Sequence, residues 1–136
     1  QTREQHIRRE RATSNICTSE ALIGTAVVAY VGSMGRVGIK HVAEMAYHKS
    51  HYAASMISKI PGYSLPFGGT FFKEFVVRCP LSPEKLNGYL LENGLIGGVD
   101  VSDMVDDGLL IAVTEMNTKE EIDRLVYLMA ESRSGK

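Results

Sequence analysis

The sequence predicts a two-layer α/β sandwich, an α+β arrangement in which a small, mainly antiparallel sheet carries helices on one face. Three observations predict it. Over Phe72–Cys79, the residues Phe75, Val77 and Cys79 alternate with Glu74, Val76 and Arg78, the period of a half-buried strand. From Ile39 to about Lys59, apolar or small residues recur at helical spacing: Ile39, Val42, Ala43, Ala46, Ser50, Ala53 and Ile57. A closing segment opens with Thr118-Lys119-Glu120-Glu121, a capping box, and continues with Ile122, Leu125, Val126 and Met129 as its inward face.

The elements follow in order. Thr18 to Val31 reads as the first helix, capped by Thr18 or Ser19. Its apolar residues go nearly all round, and such a helix is buried on all sides. A domain of this size rarely encloses a helix completely, so one side is expected to face protein outside this chain. Gly32, Gly35 and Gly38 then interrupt the pattern. Helical sequence on both sides makes them a helix–helix turn rather than a phosphate loop, which needs a preceding strand and another spacing. The helix from Ile39 is about 30 Å long. Pro61, Gly62 and Pro66–Gly69 mark a loop before the alternating strand. Ser82-Pro83 opens the next helix, with serine as cap and proline at the first helical position, and Asn93-Gly94 stops it. Leu95–Val101, with Gly97-Gly98, is a short strand or turn. Asp106-Asp107-Gly108 is a turn, Leu109–Thr114 a buried strand, and Ser132–Lys136 a tail after the last helix.

Composition narrows the function. A chain of 136 residues buries one core and not a second. The net charge of −1 conceals an excess of +2 over residues 1–12, too little to indicate nucleic-acid or membrane binding. Cys17 and Cys79 lie far apart without a CxxC pattern, as free thiols of a reducing compartment do. No signal peptide is evident and no apolar run is expected to reach the length of a membrane span, so a soluble, cytoplasmic domain is expected. His41, His48 and His51 share one helix, but no nearby Cys, Asp or Glu offers the further ligand a metal needs, and no metal site is assigned.

The opening eighteen residues, QTREQHIRRERATSNICT, carry the densest information. Arg3, Arg8, Arg9, Arg11 and His6 lead into Ala12-Thr13-Ser14-Asn15 and then into the apolar helix. Positive charge and short hydrogen-bonding side chains thus precede a helix N-terminus, where free N–H groups and the helix dipole favour an anion such as phosphate. The string starts without methionine, in mid-phrase, and reads as part of something larger. It resembles the segment joining the large and small domains of glycine dehydrogenase (decarboxylating) subunit 1, in the P-protein of the glycine cleavage system. The resemblance continues more loosely through Ala46–Tyr52, Phe72–Pro80 and Thr114–Leu125. Arg11 departs from it, standing where a lysine is expected.

The resemblance implies a domain plan of residues 1–17 as a basic interdomain segment, 18–131 as the C-terminal small domain of a fold-type I pyridoxal-phosphate enzyme, and 132–136 as a tail. It implies an oxidoreductase of glycine catabolism. Working as a heterotetramer with subunit 2, the assembled enzyme decarboxylates glycine and passes the aminomethyl group to the lipoyl arm of H-protein. Pyridoxal phosphate is then bound covalently by subunit 2. None of the seven lysines here stands in a Schiff-base motif, and this piece alone is expected to be inactive, with no catalytic residue of its own. In the related cysteine-desulfurase branch, a carboxylate-binding arginine stands where this chain has Leu110, and leucine offers no bidentate fork. Arg78 is a substitute in principle, but the simpler expectation is that it pairs with Glu74 on the same strand face. That branch's Ala-Gly-Thr run, whose threonine reaches the neighbour's cofactor phosphate, matches Arg11–Asn15. Thr13 is accordingly the phosphate-contacting candidate, with Ser14 and Asn15 assisting or merely capping the helix. Arg3, His6 and Arg8 are candidates for the cleft or the large-domain interface. The alternatives are a non-catalytic interaction module with a basic docking arm, and a small domain of another pyridoxal-phosphate enzyme.

Overall fold

A computed structural model of the chain describes residues 20–132. Its elements run α1 (Glu20–Ile57), β1 (Glu74–Arg78), α2 (Pro83–Glu92), β2 (Val99–Asp100), β3 (Gly108–Ala112) and α3 (Lys119–Ser132). The chain forms two compact units, one up to Ile39 and the other from Lys40 onward.

In the first unit, α1 is helical throughout except at Gly35, whose φ of 60° and ψ of −178° break the ladder. Only glycine adopts that conformation readily. The expected three-glycine turn is therefore a single-residue break. Gly32 and Gly38 are helical, because a glycine lowers helix propensity by only about 1 kcal/mol and one non-helical residue suffices to kink the axis. Ala21 to Ser33 are all exposed, Leu22 and Val28 at 72% each. An 18-residue window of this helix has a mean hydropathy of 1.5, long and apolar enough by length and composition to cross a membrane. That corrects the expectation that no run approaches a span.

In the second unit the sheet is wholly antiparallel, in the order β1-β3-β2. Phe75 pairs with Ile111 and Val77 with Leu109, and these four side chains face the helices. Ala53 and Ile57 of α1, Leu86 and Leu90 of α2, and Ile122, Leu128 and Met129 of α3 join them in one core. Helices thus cover one face of the sheet, as the alternation in β1 requires. Of the four residues expected inward on α3, Ile122 and Met129 are buried, while Leu125 and Val126 are half-buried against the core edge.

The termini of the helices obey local chemistry. Thr118 Oγ1 accepts from the Glu121 N–H at 3.2 Å, and Glu121 Oε2 accepts from the Thr118 N–H at 2.8 Å, completing the capping box. At the end of α2 the Leu95 N–H donates to Leu90 O and the Gly94 N–H to Leu91 O, both at 2.9 Å, a Schellman motif. Ser82 departs from expectation. It holds the cap position of α2 but its side chain makes no capping bond. Between α1 and α3, the Tyr52 hydroxyl donates to Asp123 Oδ1 at 2.6 Å and Lys119 pairs with the same carboxylate. The Lys119 ammonium holds the Asp123 carboxyl below the usual carboxylate range, with the Tyr52 hydroxyl assisting.

Candidate functional site

The sheet face turned away from the helices is the candidate. Side chains on a strand alternate, so the partners Val76 and Leu110 share that face, and Val99 lies opposite Leu110 on its other side. An apolar row therefore crosses all three strands. Leu65, Phe67, Thr70 and Phe71, from the loop before β1, rise beside it and enclose with Val76 and Leu110 a hollow of about 180 Å³. Glu74 is the one charged residue in its lining.

Two side chains of α1 anchor this loop. Ser50, fully buried, donates from Oγ toward Phe72 O at 2.7 Å, with Tyr47 O as a second acceptor at 2.9 Å. The His51 ring stacks on Phe71 at 4.1 Å and lies 3.1 Å through Nε2 from Phe71 O. As the donor there, Nε2 carries its proton. At the other end, Ser64 and Arg78 exchange backbone hydrogen bonds at 2.8 and 3.2 Å. Ser50 counts in the sequence only as a small residue in a helical pattern, and nothing in the sequence shows that it fastens a loop 22 residues away.

The candidates Arg3, His6, Arg8, Thr13, Ser14 and Asn15, with Cys17, lie outside the described residues. Leu110 is on the open face, half-buried among apolar neighbours. Arg78 shares that face but forms no ion pair with Glu74 among the described residues, contrary to expectation. The two stand four residues apart on one strand, about 13 Å, beyond the reach of a salt bridge. His41 and His48 are exposed and His51 serves the loop. Among the described residues no three of His, Cys, Asp and Glu converge. Lys49 donates to Glu115 O at 2.6 Å, Lys119 pairs with Asp123, and no lysine lines the hollow. An apolar recess whose only charge is a carboxylate does not fit pyridoxal phosphate, which needs cationic or N–H donors for its phosphate and an amine for its aldehyde.

Cys79, the residue after β1, is a buried free thiol, its N–H donating to Asp107 O at 2.9 Å. Burial, with the Asp107 carboxylate adding to it, pushes this thiol up to about 12. At pH 8 the thiolate fraction is then about 1 in 10⁴. In a Cys17→Ser background, Cys79 should react with a disulfide reagent at least 100-fold more slowly in the folded protein than in urea. Equal rates would show that the site is open.

The described residues thus define an α/β domain: a small antiparallel sheet covered by helices on one face, with an apolar recess on the other. Comparison with known proteins gives its family. A family model described as glycine cleavage system P-protein matches residues 1–129. A protein of Thermomicrobium roseum named probable glycine dehydrogenase (decarboxylating) subunit 1 is 48% identical over 97% of this chain and 30% of its own length. The protein of that name from Chlorobium phaeobacteroides is 50% identical over 96% of this chain and 30% of its own. A solved glycine decarboxylase (P-protein) of the glycine cleavage system, in inhibitor-bound form, superposes with a TM-score of 0.81 at 29% identity, over 94% of this chain and 30% of that one. This chain belongs to the glycine cleavage system P-protein family, and spans about a third of the length of the relatives it matches.

Proposed function

We propose that this chain is the C-terminal small domain of subunit 1 of a cytoplasmic glycine decarboxylase, with residues 1–17 as the interdomain segment, 18–131 as the domain and 132–136 as a tail. The observation that carries the reading is the 48% identity, over nearly the whole chain, to proteins named as subunit 1 of that enzyme. In this reading subunit 2 holds pyridoxal phosphate covalently, the two subunits form a heterotetramer, and the lipoyl arm of H-protein receives the aminomethyl group.

The chain's own part is to complete a shared cleft. Leu110 and Val76 present an apolar wall that offers a carboxylate no partner, so the carboxylate of glycine is gripped elsewhere. Thr13 donates its hydroxyl to the partner's cofactor phosphate, Ser14 and Asn15 assist, and Arg3, His6 and Arg8 keep the cleft positive.

The test is carbon dioxide release from glycine with H-protein present, for subunit 2 alone and then with the full-length polypeptide that contains this chain. Activity should appear only with both. Thr13→Val should then weaken cofactor retention by about tenfold or more, the loss of one charge-assisted hydrogen bond. If subunit 2 gains nothing from the addition, the interaction-module reading replaces this one.

A further inference from the structure

The sequence contains two Asn-Gly pairs, Asn87-Gly88 inside α2 and Asn93-Gly94 just after it. Such a pair is chemically labile. The backbone nitrogen of the glycine, unhindered by a Cβ, attacks the asparagine Cγ. The carboxamide nitrogen leaves as ammonia, and water then opens the five-membered imide to aspartate or isoaspartate. Nothing is oxidised or reduced, and water is the one co-reactant. The step requires a glycine nitrogen free of its hydrogen bond and a carboxamide free to swing onto it.

At Asn87 the fold withholds both. Gly88 lies in the interior of α2, its N–H engaged in the helix ladder. The Asn87 carboxamide bridges to the sheet edge, Nδ2 donating to Gly98 O at 2.9 Å and Oδ1 accepting from the Gly98 N–H at 3.2 Å. Freeing it separates α2 from the strand edge. At Asn93 the corresponding groups are held only by the last turn of α2 itself. Nδ2 donates to Tyr89 O and the Gly94 N–H to Leu91 O, both at 2.9 Å. Arg124 of α3 donates through Nη2 to the main-chain oxygen of Asn93 at 2.5 Å and leaves the carboxamide alone. Asn93 has already left the helix, with φ of −92° and ψ of 13°, and Gly94 is exposed. A terminal turn frays at far lower cost than a domain opens.

We propose that Asn93 is a site of spontaneous modification in the native protein, deamidating as the last turn of α2 frays, while Asn87, with the same following residue, is kept intact by its lock on Gly98. The isoaspartyl product inserts a methylene into the main chain before Gly94, so the Gly94 N–H no longer meets Leu91 O and the turn does not reclose. Age thus loosens the end of α2 and the run that leads from it to Gly98. This inference goes beyond the enzymatic reading and does not depend on it.

The experiment incubates the full-length polypeptide that contains this chain at pH 8 and 37 °C, natively and in urea. Mass spectrometry of the digested peptides follows both asparagines, and methylation by protein isoaspartate methyltransferase identifies the isoaspartyl product. In urea the two should react at rates within about threefold of each other, as equal Asn-Gly chemistry requires. In the native protein Asn93 should react at least about tenfold faster than Asn87. Ile57→Ala, which empties a fully buried position of the core, should speed Asn87 by about tenfold or more and Asn93 by less than about threefold. Equal native rates in the unsubstituted protein overturn the proposal. So does equal acceleration of both by Ile57→Ala, which would mean that Asn93 also waits for the whole domain to open.

Discussion

Gly98→Ala should destabilise the domain by about 3 kcal/mol, at the upper end of what forced overpacking costs. A methyl group there would run into the carbonyl oxygen of Leu110, with the Leu110 carbonyl carbon at 3.0 Å and Leu109 Cγ at 2.9 Å. Two of these obstacles are backbone atoms of the central strand, which cannot swing aside. Gly98 is also held by the Asn87 amide, which donates to Gly98 O at 2.9 Å and accepts from its N–H at 3.2 Å. Displacing Gly98 therefore breaks the tie between α2 and the strand edge as well. Urea unfolding followed by circular dichroism measures the effect, and a loss under about 0.5 kcal/mol would refute the close approach. Gly88→Ala is the matched control. Gly88 lies exposed on α2 with nothing within 4 Å of an added Cβ, so there alanine should raise stability by up to about 1 kcal/mol.

Leu109→Ala should cost about 3 kcal/mol, whereas Leu110→Ala, one residue on, should cost about 1 kcal/mol. Leu109 is fully buried on the central strand, opposite Val77 and against the helices. Its truncation loses transfer energy and leaves a cavity that close-packed neighbours cannot fill. Leu110 faces the other way, half-exposed in the open-face hollow, where truncation enlarges a space already accessible to solvent. The same denaturation experiment reads both. Equal losses would mean that the open face is not open, and the candidate cleft wall would fall with it.

That pair shows why part of the site was illegible in the sequence. In Phe72–Cys79, polar residues mark one face, and the inward set Phe75, Val77 and Cys79 is buried as its alternation demands. Leu109-Leu110-Ile111-Ala112 is apolar throughout, so its composition carries no parity. Only pairing with β1, Leu109 against Val77 and Leu110 against Val76, assigns the faces. Arg78 illustrates the opposite error. Shared parity with Glu74 was legible, but strand rise places the two out of reach. The loop anchors Ser50 and His51 left no local signal, because their acceptors, Phe72 O and Phe71 O, belong to another segment.

By itself the sequence determined what depends on neighbours along the chain: the α/β class, the helix-capping box at Thr118, the stop at Asn93-Gly94, the inward face of β1 and the family. These rest on hydrogen bonds and periodicities spanning a few residues, which local order alone specifies. The tertiary structure alone decided that the glycine turn is a break at Gly35, that Gly98 touches the central strand, and that Leu110 looks into a hollow. Each of these depends on contacts between segments distant in the chain, or on which of several permissive glycines leaves the helical region, and no local pattern encodes that choice.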